Sequence, residues 1–175
     1  MLIPTARKKV MIIPDTQLPF DHKDSIKFLR AVKDKYKPDT IVHIGDFFDL
    51  HALSVYTKDP NGWSASDELS VALKRAGQYY KLFPECHLIA GNHDVRIYKR
   101  AAEAGIPDAF LKEYLDWLEA PEGWSVHQDL KIDEVLYIHG EGFSGKYGHR
   151  HAAERHMRSV VMGHLHIWIV TGKPI

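Results

Sequence analysis

The run VMII stops at Asp15, in the stretch PDTQLP, and four further apolar runs stop in the same way. TIVHI leads into Gly45-Asp46 of IGDFFD, CHLIA into Gly91-Asn92 of AGNHD, VLYI into His139-Gly140, and VVM into Gly163-His164-Leu165-His166. Carboxylate, amide and imidazole side chains all donate to divalent cations, and two of the three also move protons in hydrolytic chemistry. One at a time the motifs say little. Asp15 beside Pro14 reads equally well as a turn opener, and GD and GN are common turn dipeptides. The conjunction says more, because packing alone does not produce five metal-binding groups, each at the end of an apolar run.

Short apolar runs of this kind are predicted strands, and helical patterns lie between several of them. Asp24 stands where it can cap a helix carrying Ile26, Leu29 and Val32 on one face and ending in KDKYK. Ser64 and Asp67 have capping-box spacing ahead of Leu69, Ala72, Leu73 and Ala76. Val95 to Leu118 reads as helical with a break at Gly105-Ile106-Pro107, and another helix is expected from about Lys146 to His156. The aromatic stretch FLKEYLDWLEAPEGW places Phe110, Tyr114, Leu115 and Leu118 at helical spacing, which predicts a packed core helix rather than a base-stacking platform. Strands at Val135–Ile138, Val160–Met162 and Ile167–Val170 follow one another closely, so part of the sheet is expected to be mixed. Alternating strands and helices predict an α/β layered domain. Ligands of open α/β sheets gather at the carboxyl ends of the strands, so five such ends would line one cleft. The glycines at 45, 91, 140 and 163 suit turns where the backbone must approach an ion closely.

At 175 residues, without a repeat or low-complexity linker, the chain reads as one domain, 1–175. Lys+Arg and Asp+Glu both number 23, a balance unlike that of a protein working mainly as a basic nucleic-acid glove. Cys86 is the lone cysteine, which excludes an internal disulfide and a thiolate zinc cage and favours an intracellular, cytoplasmic setting. The segment MLIPTARKKVMII lacks the apolar stretch of a signal peptide or membrane span. Histidine, with 12 copies, is the unusual component.

Taken together, Asp15-x-Gln17, Gly45-Asp46-x-x-Asp49, Gly91-Asn92-His93-Asp94, His139 and Gly163-His164-x-His166 resemble the signature of the calcineurin-like metallophosphoesterases. The resemblance spans residues 15 to 166, loosely that of small bacterial and phage members. It implies mixed β-sheets packed as a sandwich flanked by α-helices, a four-layer αββα arrangement with two metal ions at the strand ends. By the same resemblance Asp15, Gln17 and His166 would hold one metal, Asn92, His139 and His164 the other, and Asp46 would bridge them. Two divalent ions bring four positive charges against two carboxylates, a surplus that suits a phosphate and a hydroxide nucleophile held at the metals. Paired ions about 3.5–4 Å apart acidify a bridging water and stabilise both oxygens of an in-line displacement. His93 would contact the scissile phosphate and protonate the leaving group, with Asp49 accepting its other ring proton.

Three departures refine the resemblance. Gln17 replaces the usual His of the first motif; its amide oxygen is a harder donor that tilts the site towards manganese or magnesium and away from zinc. Manganese is the expected metal, with magnesium, iron, zinc and nickel as alternatives. Leu50 stands where the Ser/Thr protein phosphatases of the superfamily carry a phosphate-gripping Arg, leaving Arg96, Lys146 or Arg150 to supply positive charge. The chain also stops nine residues past His166, where relatives continue through further strands, which leaves missing C-terminal strands and homo-oligomer formation open. His149, His151 and His156 on the last helix are expected to be exposed or lid-facing and free of metal. The expected function is hydrolysis of phosphodiester or nucleotide-type phosphate esters, with a nucleotide or nucleic acid as substrate partner and no membrane. Phosphomonoesterase activity and a non-catalytic interaction module on the same fold are the alternatives.

Overall fold

A computed structural model describes residues 8–172. Four strands, β1 (Val10–Ile13), β2 (Thr40–His43), β3 (Cys86–Ile89) and β4 (Trp124–His127), form a wholly parallel sheet in sequential order. Three more, β5 (Asp129–Ile132), β6 (Val135–Ile138) and β7 (Ser159–Met162), form a second sheet. Here β5 pairs antiparallel with β6, and β6 parallel with β7, so the expected mixed sheet is present.

The two-residue period of each strand sorts its side chains into layers. Met11 and Ile13 of β1, with Cys86 and Leu88 of β3, face a core shared with helices α1 (Ser25–Tyr36), α2 (Ala65–Leu82) and α4 (Tyr114–Trp117). Their neighbours Val10, Ile12, Val42 and Ile89 turn the other way, onto Leu130, Ile132, Tyr137 and Val161 of the second sheet. Leu136, Ile138, Val160 and Met162 in turn cover Ala152 of α5 (Gly148–His156). The layers are therefore helices, sheet, sheet, helix, as the αββα expectation has it. A sheet wetted on neither face explains why β1 and β6 are apolar throughout and β2 and β3 mostly so.

Helix α2 begins with its expected cap: the Ser64 hydroxyl accepts from the Asp67 N–H at 3.2 Å. Asp24 precedes α1, but its side chain makes no capping bond, since its backbone is already turned to φ −94°, ψ 5°. The break at Gly105 is present: α3 (Arg96–Glu103) ends there, and a single 3₁₀ turn at Asp108–Phe110 and the one-turn α4 follow.

Two further expectations fail. The stretch from Phe110 to Trp124 is not one packed helix: Phe110 is 80% exposed, and Trp124 belongs to β4. Pro121 and the turn around it cut the helical pattern, and pairing with β3 then claims Trp124. Ile167–Val170 forms no strand; Trp168 is 94% exposed, so no burial offsets the entropy of ordering the segment. Among the described residues no helix is long and apolar enough to cross a membrane.

Candidate metal centre

The five apolar runs deliver their terminal residues to one place, where the carboxyl ends of the two sheets meet. Single bonds join the sheets there. His139 Nδ1, at the end of β6, donates to the Ile44 carbonyl beyond β2 at 2.9 Å, and the His164 N–H beyond β7 donates to Asp15 Oδ1 at 3.0 Å. Within the first sheet the Gln17 N–H bonds the Asp46 carbonyl and the Leu18 N–H the Phe47 carbonyl, each at 2.8 Å. The Asp15 and Asp46 turns are thus laced side by side.

Ligand-type atoms of Asp46, His139 and His164 all lie within 4.8 Å of one another. Asn92 Oδ1 stands 2.9 Å, and Asp46 Oδ2 3.3 Å, from His139 Nε2. On the other side His166 Nε2 is 3.7 Å from Asp15 Oδ1 and 3.5 Å from the Gln17 amide nitrogen. All seven expected ligands are therefore in one neighbourhood, in two groups, with Asp46 beside the Asn92–His139 group. Buried Asp46 and His139 form its floor, and exposed His166 its rim.

The donor chemistry fits a cation. Because the Ile44 carbonyl can only accept, His139 carries a proton on Nδ1, and a neutral ring turns a bare Nε2 lone pair towards the oxygens of Asn92 and Asp46. Three lone pairs meeting at such distances need a proton or a metal ion among them. The titration behaviour has the same cause. Burial works against the charged form of His139, but hydrogen bonding to Asp46 and its charge outweigh it and raise the pKa. For Asp46 burial pulls upward, and the His139 bond and charge prevail to hold its carboxyl below the usual range. Burial raises Asp15 despite the His164 N–H, and burial with nearby His139 lowers His164.

The backbone at these positions is unusual. Asp15, Gln17, Asp46, His164 and His166 all have positive φ, between 38° and 67°. Left-handed backbone at non-glycine residues costs energy and clusters where side chains must be aimed. Gly91 answers a different demand, since a Cβ there would collide with the Asp46 carboxylate; one at Gly163 would stand 2.7 Å from Asp15 Oδ2.

His93 sits beside this group, its Nε2 3.8 Å from Asp46 Oδ2 and its N–H donating to Asp46 Oδ1 at 2.8 Å. Its relation to Asp49 is looser than expected. Arg96 Nη2 donates to His93 Nε2 at 2.9 Å, so the ring proton is on Nδ1, which faces Asp49 Oδ1 at 3.4 Å without a well-formed bond. Arg96 also donates through Nη1 to Asp49, to its carbonyl at 2.8 Å and its Oδ1 at 3.1 Å. Of the three basic candidates Arg96 is the one in contact with site residues. Arg150 pairs with Glu154 on the exposed side of α5, and Lys146 lies over the Tyr147 ring. His151 and His156 are exposed and His149 is half-buried; none joins a ligand cluster among the described residues.

Sequence reasoning passed over two positioning groups. The wholly buried Asp94 accepts from the N–H groups of Phe47 (3.0 Å) and Phe48 (3.2 Å) through Oδ1 and of Gly91 (2.9 Å) through Oδ2. It thereby ties the Asp46 turn to the Asn92 turn; burial pushes its carboxyl up to about 6 against the bonds from the Gly91 and Phe48 N–H groups. The buried His43 bonds Thr16, whose hydroxyl donates to the Phe47 carbonyl, all at 3.0 Å, and so supports the turn between Asp15 and Gln17. The only sequence signal for Asp94 was its place at the end of GNHD; His43 had none.

A sandwich of two sheets with carboxylates, imidazoles and an amide where their strand ends meet makes a candidate site for divalent metals. A model of the calcineurin-like phosphoesterase family matches residues 8–170, and the chain belongs to that family, whose members typically act on phosphoesters with divalent metals. The gene 54 protein of Mycobacterium phage D29 is 26% identical over 186 aligned residues, covering 91% of this chain and 69% of the relative. The gene 54 protein of Mycobacterium phage L5 is 39% identical over 51 residues, 29% of this chain and 20% of the relative.

Proposed function

We propose that the protein is a two-metal phosphoesterase that hydrolyses phosphodiester or nucleotide-type phosphate esters with water as nucleophile. The observation that carries this reading is the position of His139 Nε2, turned with Asn92 and Asp46 into a shared space at the sheet ends. Asp15, Gln17 and His166 would hold one ion, Asn92, His139 and His164 the other, and Asp46 both. Manganese is the preferred metal because Gln17 supplies an amide oxygen rather than an imidazole. When bound, the ion pair supplies positive charge to the phosphoryl oxygens and acidifies a water.

The chain's own residues do the rest. The Ile44 carbonyl holds His139 in the tautomer that presents Nε2 inward. Arg96 reaches His93 from the side and offers a guanidinium to an incoming phosphate. When the Arg96 N–H turns from His93 to that phosphate, the freed Nε2 takes a proton from solvent and passes it to the leaving oxygen. Asp49, 3.4 Å from Nδ1, orients the ring and stabilises the positive charge it then carries.

The test is hydrolysis of methyl p-nitrophenyl phosphate, a diester, beside p-nitrophenyl phosphate, a monoester, with manganese, magnesium and zinc in turn. Manganese-dependent cleavage favouring the diester, abolished by chelation, is the expected result. Preference for the monoester would make the protein a phosphatase; inertness towards both with two ions bound would sink the catalytic reading.

A further inference from the structure

Phe20 and Trp63 stack on each other in solvent, ring centroids 5.8 Å apart and planes 17° from parallel, with 55% and 50% of their surfaces exposed. His51 meets the Phe20 ring edge-on at 6.4 Å. Exposed aromatics stacked in this way leave large apolar faces in water without joining the core. The place matters. Phe20 lines a cleft of about 310 Å³ together with Asp15 and Gln17, and its N–H bonds the Gln17 carbonyl at 2.9 Å. Phe20 is therefore part of the wall of the space onto which Asp15 and Gln17 open, and Trp63 extends that aromatic surface by stacking on it.

We propose that this Phe20–Trp63 pair is the platform on which a nucleobase of the substrate stacks, making nucleobase-bearing phosphodiesters the substrate class. The proposal rests on the phosphodiesterase reading above and names its substrate. Base–aromatic stacking needs a flat, exposed, rigidly held ring and tolerates any base. The backbone is anchored on both sides of the stack, at Phe20 by its bond to Gln17 and beside Trp63 by Ser64, the cap of α2. His51 is fixed too, because the buried Glu68 accepts the His51 and Ala52 N–H groups at 2.7 Å each.

The cleft has the size and charge for one nucleoside. It lies at the lower end of the roughly 300–1,000 Å³ of small-molecule sites. Asp21 in its wall presents no free charge to repel a phosphate, since Arg75 and the Tyr79 hydroxyl, each at 2.8 Å, occupy its carboxylate. A second cleft, of about 230 Å³, opens beside Asn92 and carries Arg96 together with the ion pairs Lys99–Glu141 and Arg100–Glu103. The two give an aromatic side and a polar, Arg96-bearing side to the same centre, an arrangement that suits a diester with its nucleoside over Phe20.

The test compares the p-nitrophenyl ester of thymidine 5′-monophosphate with methyl p-nitrophenyl phosphate, which share a leaving group and differ in the nucleoside. The wild type is expected to prefer the nucleoside ester through a lower KM. In Trp63→Ala and Phe20→Leu the ratio of the two kcat/KM values should fall by roughly 5- to 150-fold, the loss of one base–aromatic stack. An unchanged ratio in both variants overturns the proposal. Binding supplies an independent arm: thymidine monophosphate should quench tryptophan emission in the wild type and not in Trp63→Phe. Equal quenching in the two, or none in the wild type, overturns the platform even if neither ester is hydrolysed, a result that would separately sink the phosphodiesterase reading. Much tighter quenching by a short thymidine oligonucleotide supports a single strand as the source of the base, and equal quenching supports a free nucleotide.

Discussion

In the proposed reaction His93 and Gln17 are the residues on which the chemistry turns. His93 is held by Arg96 rather than by a close Asp49, so in that mechanism its acid form would wait on a phosphate that draws the guanidinium away. His93→Asn should therefore keep metal affinity, measured by calorimetry, while kcat falls by roughly 10²- to 10⁴-fold, the usual worth of general acid catalysis. Undiminished turnover would remove His93 from the mechanism. Gln17 lies within reach of His166 and shares its side of the centre with Asp15. Exchanging its amide for an imidazole, as in Gln17→His, should move the metal preference from manganese towards zinc in competitive titrations. An unaltered preference would mean that Gln17 does not touch the metal.

At the scale of elements, the site is a set of turns rather than strands. The strands end at residues 13, 43, 89, 138 and 162, and the residues of interest lie one to four positions beyond. Their precision comes from bonds within and between turns, of which Asp94 makes two to the Asp46 turn and one to its own loop. Asp94→Asn leaves one backbone N–H facing an amide NH₂, a change that should cost about 1.5–3 kcal/mol in urea denaturation, the scale of a charge-assisted hydrogen bond. Affinity for the ion at Asn92 should weaken in the same variant. Lost stability with undisturbed metal binding would reduce Asp94 to a support of the fold.

For the whole molecule, the meeting of two sheets buries polar groups that a single sheet would leave wet, and His43 shows the consequence. Burial drives its pKa down to about 3 from an ordinary 6.5, with the Asp46 charge only partly opposing. A depressed pKa means that the unfolded chain binds the proton first as pH falls. The stability His43 contributes is intact above about pH 6.5 and is lost as the pH drops towards 3, at up to about 1.4 kcal/mol per pH unit. Urea midpoints between pH 7 and 4 should fall more gently in His43→Gln than in the wild type. Parallel slopes would place the acid sensitivity elsewhere.

Much of this arrangement is legible in the chain order. Apolar runs that end in Asp15, Asp46, Asn92, His139 and His164 are local patterns, and strand burial on both faces writes them directly into composition. Strands β4 and β5 escaped the reading because Trp124–His127 and Asp129–Ile132 carry polar residues at alternate positions instead of an unbroken apolar run. Ile167–Val170 misled in the opposite sense, since β-propensity becomes a strand only where a partner and a buried face exist. The sequence by itself determined the donor types, their order and their attachment to strand ends. The tertiary structure alone decided that Ile44 sets the His139 tautomer, that Arg96 rather than Asp49 holds His93, and that Phe20 meets Trp63 beside Gln17. Those contacts join residues 3 to 95 positions apart through space, and no local pattern encodes a distance between two turns.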